Sequence, residues 1–228
     1  MLLYLHIPKT GGTAIRNALR ELVYKQGLKP PFDIIASHDA TVYNLNHTLL
    51  FSIRDPLERF CSGYWERFTN PLRFELNKSA DILYQGGGYS PLTVVETELF
   101  KNYKTPNELI TSIREKTFDN KKFNFQKTEL NMMLAPLTAW LGQPNIYKAN
   151  EHKIKGVFNI KHLSDLMYDI YGLTLSSDPF IRRSRDQYDF VQDYAVDQEN
   201  TEWFKSVFRR TDYQLVEYIK TRHYYFDC

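Results

Sequence analysis

Lys9 stands two residues ahead of a glycine pair, in the run Pro8-Lys9-Thr10-Gly11-Gly12-Thr13, and this pattern suits the capture of an anion. A lysine supplies a compact charge, and glycines let the backbone approach a ligand closely. A helix starting here would aim its first N–H groups, and about half a positive charge, at the same place. The nucleoside-triphosphate loop needs G-x-x-x-x-G-K-[ST], with its lysine after the last glycine. Here the lysine comes first, so that pattern is absent and the cation enters from the strand side.

A second cluster, Arg54-Asp55-Pro56-Leu57-Glu58-Arg59-Phe60-Cys61-Ser62, carries the other half of the chemistry. Arginine offers a planar fork of donors and serine a single hydroxyl, so Arg54 and Ser62 together suit a phosphate monoester. Arg54 has local partners available in Asp55 and Glu58, and an isolated motif of this kind would read as an ion pair. Beside a first anion loop on a neighbouring strand, the anion-binding reading is the better one.

Both clusters need a sheet to hold them. Leu2-Leu3-Tyr4-Leu5-His6-Ile7 reads as a buried strand, and Leu49-Leu50-Phe51-Ser52-Ile53 as a second. Ile15, Leu19, Leu22 and Val23 follow helical spacing, stopped by Gly27 and Pro30-Pro31. Asp55, Pro56 and Glu58 form a helix start, followed by a stripe of Leu57, Phe60, Cys61, Tyr64 and Phe68. Ile34-Ile35-Ala36 is a short apolar run and Gly156-Val157-Phe158-Asn159-Ile160 a further strand. Helices are expected from Pro106 to about Lys116, from His162 to Tyr171 with Gly172 as stop, and around Trp203 to Ile219. Strands alternating with helices predict an α/β fold with a mostly parallel central sheet flanked by helices, whose ligands bind at the carboxyl ends of the strands. One domain over 1–228 accommodates this. The stretch 70–127, with its Gly86-Gly87-Gly88 loop, is irregular and reads as an insertion serving the acceptor.

Composition narrows the partners. A net charge of +2 is too mild for a protein that wraps nucleic acid, so any electropositive site is local. The 15% aromatic content reads mainly as core, with some tyrosines available to stack on rings. Two cysteines, Cys61 in a helix and Cys228 at the end, imply neither a disulfide framework nor a zinc cluster. No signal segment or membrane span precedes the first strand, so the chain as given is expected to be soluble and cytoplasmic. A removed N-terminal anchor would place it in the Golgi lumen instead.

Taken together, Pro8-Lys9-Thr10-Gly11-Gly12-Thr13 and Arg54 through Tyr64 resemble the two cofactor motifs of the sulfotransferases. The first is similar to the 5′-phosphosulfate loop and the second to the 3′-phosphate motif. The variant is most similar to the carbohydrate branch, the heparan sulfate 2-O-sulfotransferase type and its bacterial relatives. Phe180 to Asp212, with Arg182-Arg183-Ser184 and Tyr194, resembles that branch's C-terminal cofactor loop. The resemblance implies a P-loop-like sulfotransferase fold and transfer of a sulfuryl group from 3′-phosphoadenosine 5′-phosphosulfate (PAPS) to a carbohydrate hydroxyl. Lys9 would stabilise the departing 3′,5′-adenosine bisphosphate. Thr10, Gly11, Gly12 and Thr13 would form the 5′ cradle, and Arg54, Ser62, Arg182 and Ser184 would hold the 3′-phosphate. The donor carries its own activation, so no metal is implied.

The acceptor must lose a proton, and a positioned base contributes about 10²–10⁴-fold. His38, between the two motifs, is the candidate, since an unperturbed imidazole titrates near 6.5. The 2-O type carries a His-x-His pair there, whereas Ala36 takes the first position in this chain. His6 competes but reads as a structural strand residue, His47 as a solvated turn residue, and Asp39 and Glu66 as fallback bases. Arg67, Arg73, Lys78, Lys121 and Lys122 could meet an anionic polysaccharide such as a glycosaminoglycan, with Tyr84, Tyr89 and Tyr103 stacking on sugars. Alternative readings are a sulfotransferase for protein tyrosine or a small molecule, a non-catalytic nucleotide-binding module, and a nucleotide kinase, the last disfavoured by the position of the lysine.

Overall fold

The apolar run at the start of the chain forms strand β1, Leu2–Leu5. Leu3, Tyr4 and Leu5 are all buried, so both faces of the strand are covered, as a central parallel strand requires. This is a computed structural model, which describes residues 2–12, 15, 19, 27, 33–35, 40–69, 92–119, 129–159, 168, 195–222 and 225–226. The other strands are β2 (Asp33–Ile35), β3 (Thr48–Ile53), β4 (Ile154–Asn159) and β5 (Tyr225–Phe226). All pair in parallel, in the order β2-β1-β3-β4-β5. The α/β class with a parallel sheet and flanking helices is therefore as expected.

Gly12, Ile15 and Leu19 are helical, with Ile15 and Leu19 buried, and Gly27 takes the left-handed φ of 65° that suits a helix stop. Eight further helices have defined bounds among the described residues. They are α1 (Pro56–Phe68), α2 (Val94–Asn102), α3 (Pro106–Arg114), α4 (Glu129–Leu134), α5 (Thr138–Leu141), α6 (Pro144–Asn150), α7 (Gln198–Trp203) and α8 (Arg210–Lys220). A π-helical turn over Phe204–Phe208 separates the last two. The expected helix over 162–171 lies outside the described residues, apart from the helical Tyr168. No helix among the described residues is long and apolar enough to cross a membrane.

Packing gathers the chain into two compact units. The first comprises Met1–Pro56, Pro136–Gln192 and Arg209–Cys228, and contains the sheet. Its core joins Leu5, Leu49, Phe51, Val157 and Phe158 of the strands with Leu215 and Ile219 of α8. Asp212 of α8 is buried and accepts the Leu137 and Thr138 N–H groups at 2.9 and 3.1 Å, satisfying donors that have no acceptor within the first turn of α5. Tyr218 donates its hydroxyl to Glu151 at 2.9 Å, and Arg222 pairs with the same carboxylate at 2.8 Å, which fixes the far end of α8.

The second unit, Leu57–Ala135 with Asp193–Phe208, is built on aromatic contacts. Tyr64 and Phe68 of α1 both meet Phe100 of α2 edge-on, at 5.2 and 5.3 Å between ring centres. Such pairs contribute about 0.5–1.5 kcal/mol each beyond the area they bury. Thr93 and Glu96 form a capping box at the start of α2, and Thr105 caps α3 ahead of Pro106. These caps give the segment 92–119 two defined helices where sequence patterning reads only one.

Candidate functional site

The strand order turns back between β1 and β3. In open parallel sheets the crevice at such a switch point, outside the carboxyl ends of the strands, is where ligands bind. Lys9 follows β1 and Arg54 follows β3, so the two cations leave neighbouring strands, about 4.8 Å apart by sheet geometry.

The loop after β1 has a defined shape. The strand stops because the Ile7 N–H folds back to the Leu5 carbonyl at 3.2 Å. Ile7-Pro8-Lys9-Thr10 is then a β-turn, closed by the Thr10 N–H to the Ile7 carbonyl at 3.4 Å. Pro8 occupies its second position and Lys9 its third, with φ of 64°. A turn with proline second and a left-handed residue third normally carries glycine or asparagine at that third place. A left-handed lysine costs about 1–2 kcal/mol, and strain of this kind gathers where a side chain is needed for function. The other left-handed non-glycine among the described residues, Lys116, merely ends α3. Gly11 follows with φ of 105°, a conformation open to glycine, and the first helical hydrogen bond runs from the Ile15 N–H to the Gly11 carbonyl at 3.1 Å. A helix start of this kind leaves its first N–H groups without an acceptor in the helix, which suits an anion.

Thr10 is fully buried and donates its hydroxyl to the Ile7 carbonyl at 2.9 Å, so it shapes the loop rather than offering that donor outward. Beneath it lies a relay that sequence reading misses. Ser52 of β3 donates to the Thr10 carbonyl at 2.7 Å and lies 3.2 Å from the Thr10 hydroxyl oxygen. The Tyr4 hydroxyl is 2.6 Å from Ser52 Oγ. Because the single Ser52 proton goes to Thr10, Tyr4 is the donor of that bond. Burial pushes the Tyr4 pKa up to about 12, so it remains a neutral donor at physiological pH.

His6 departs from expectation. It lies beyond the end of β1, and its imidazole rests on Gly12, where an added Cβ would fall 2.0 Å from Cδ2 and Nε2. A side chain at position 12 would therefore displace this ring, which belongs to the anion loop and not to the strand.

Around the second motif the roles divide. Arg54 is half-buried at the end of β3, and Asp55, just before α1, accepts the Tyr213 hydroxyl at 3.1 Å. Ser62 and Glu66 are half-buried on α1, in the second unit. Arg59 is buried and donates to the Ala135 carbonyl at 2.5 Å. Arg67 is not a surface cation for a polymer. It is 2% exposed and forms two hydrogen bonds with Glu96, at 2.9 and 2.7 Å. Tyr103 lies against Phe118, 5.9 Å between ring centres, and its carbonyl accepts the Tyr64 hydroxyl. Thr13, His38, Asp39, Arg182 and Ser184 lie outside the described residues, as do Arg73, Lys78, Tyr84, Tyr89, Lys121 and Lys122.

This arrangement suits a ligand with two anionic groups, one taken by a glycine turn with an early lysine and the other near an arginine on the next strand. Comparison with known proteins agrees. No curated protein and no solved structure matches the chain. A family model described as the sulfotransferase family matches residues 1–228, the whole chain, with the left-handed Lys9 loop at one end of that match. A switch-point crevice of this kind, in a chain matched from end to end, makes this protein a member of the sulfotransferase family.

Proposed function

We propose that the chain moves a sulfuryl group from PAPS to a hydroxyl of a carbohydrate acceptor. The observation that carries the reading is Lys9, held in a strained left-handed turn at the switch point beside the strand that delivers Arg54. The residues present fit the donor, since a cation, a glycine turn and a helix start serve one anionic group while a second cation stands one strand away. When bound, PAPS supplies a sulfuryl group already activated by its phosphate leaving group.

The protein's own part is positioning and charge stabilisation. Lys9 places its ammonium where negative charge develops on the departing phosphate oxygen. The amides of Gly11, Gly12 and Thr13 orient the 5′ group, each charge-assisted bond contributing about 1.5–3 kcal/mol. Arg54 holds the 3′-phosphate, and the motifs assign Ser62, Arg182 and Ser184 to the same group. His38 takes the proton from the acceptor hydroxyl. The carbohydrate acceptor rests on the similarity of the two motifs to the 2-O branch, with segment 70–127 serving that acceptor within a single domain.

Calorimetric titration with 3′,5′-adenosine bisphosphate, without magnesium, tests the donor. Micromolar binding lost in Lys9→Ala and Arg54→Ala is expected, and a preference for magnesium ATP would overturn the reading. His38→Ala should abolish transfer and leave bisphosphate binding intact; near wild-type turnover would remove His38 from its role.

A further inference from the structure

Beside Arg54 the first unit contains an open cleft of about 100 Å³, at the carboxyl ends of β3 and β4 and beside β5. Arg54, Asn159 and Tyr225 reach it from the ends of the strands, and Tyr213, Glu217 and Lys220 from α8. The cleft is small, and its lining brings a guanidinium fork, an ammonium, an amide, two phenols and the carboxylates of Asp55 and Glu217 to one place. Ile53 pairs in register with Asn159, so the cleft lies across the ends of β3 and β4, and β3 is the neighbour of β1, which leads into the Lys9 loop.

We propose that Lys220 is a further cation of the nucleotide site, sharing with Arg54 the phosphate on the ribose 3′ position. This rests on the PAPS reading above. In the structure Lys220 is held 3.2 Å from Glu217, one helical turn back, with both side chains substantially exposed. Exposed pairs of this type are weak and easily exchanged, and a dianionic phosphate outcompetes a lone solvated carboxylate for the ammonium. The other carboxylate of the cleft, Asp55, is already engaged by the Tyr213 hydroxyl. The helix that carries Lys220 is fixed, because Leu215, Val216 and Ile219 are buried and Tyr218 is tied to Glu151. Lys220 thus offers a preset ammonium, and Glu217 competes with the ligand for it.

The test compares two probes differing only in the phosphate concerned, adenosine 3′,5′-bisphosphate and adenosine 5′-monophosphate, titrated calorimetrically. Lys220→Ala should weaken the bisphosphate about tenfold and leave the monophosphate within about twofold. Lys220→Arg should restore most of the loss, and Glu217→Gln should tighten the bisphosphate alone. Equal weakening of both probes, or unchanged bisphosphate binding in Lys220→Ala, would overturn the role of Lys220 while leaving the donor reading in place. A wild-type protein that does not prefer the bisphosphate would overturn both.

Discussion

Ser52 donates a 2.7 Å hydrogen bond to the carbonyl of Thr10, joining the middle of β3 to the residue after Lys9. The hydroxyl is buried and is itself supported by Tyr4, so the loop that carries the cation hangs on a side chain of the neighbouring strand. Ser52→Ala leaves the Thr10 carbonyl and the Tyr4 hydroxyl buried without that partner, at a cost of about 1–3 kcal/mol. Tyr4→Phe removes only the outer bond and should cost about 0.5–1.5 kcal/mol. Urea unfolding gives both values, and a Ser52→Ala variant as stable as wild type would mean the relay does not hold the loop.

Lys9 combines an unfavourable backbone with a side chain at the centre of the proposed chemistry. Lys9→Ala keeps the left-handed strain and loses the charge, whereas Lys9→Gly relieves the strain and loses the charge. Lys9→Gly should therefore be more stable than Lys9→Ala by about 1 kcal/mol, and both should fail in sulfuryl transfer. Paired thermal melts decide this, and the reverse order of melting temperatures would show that the turn is not strained at this residue.

Gly12 and His6 are coupled through direct contact. Gly12→Ala drives a methyl group into the imidazole, which must swing away from the loop. His6→Ala removes the obstacle, so the double variant should recover stability relative to Gly12→Ala alone, with a coupling energy of about 0.5–3 kcal/mol. Strict additivity of the two substitutions in a double-mutant cycle would count against the contact.

Lys9 and Arg54 are legible in the sequence because each follows an apolar run, and the end of a parallel strand is where such sheets present ligands. Ser52 is not, because one hydroxyl inside Leu49–Ile53 reads as an ordinary strand residue and its partner is 42 positions away. His6 reads as strand because Leu5-His6-Ile7 alternates. What ends the strand is a backbone bond from Ile7 to Leu5, which no side-chain pattern encodes. Arg67 misleads for a related reason. A cation near the end of an amphipathic helix reads as solvated, and its partner Glu96 lies 29 residues later in a stretch with little periodicity. Local chemistry is visible in one sequence, and long-range pairing of polar groups is not.

That buried pair yields the last prediction. Burial alone would raise the Glu96 pKa, but the hydrogen bonds from Arg67, with N–H donors from Thr93 and Leu130, outweigh it and hold the carboxyl below its ordinary 4.5. An acid with a lowered folded pKa contributes stability that is fully present above the unfolded value near 4.5. That contribution is lost as pH falls through the folded value. Arg67→Met strips the main compensating charge, so the variant should lose about 3–5 kcal/mol at pH 7. Its Glu96 pKa must rise, since burial then faces only the two backbone donors and the Thr93 hydroxyl. As pH falls, the variant sheds its penalty first and wild type then loses its advantage, so the stability gap between them narrows toward acid. Denaturant unfolding of both proteins from pH 7 down to about pH 4 measures that gap. A gap that stays constant over the range would show that Arg67 stabilises the unit by packing rather than by charge.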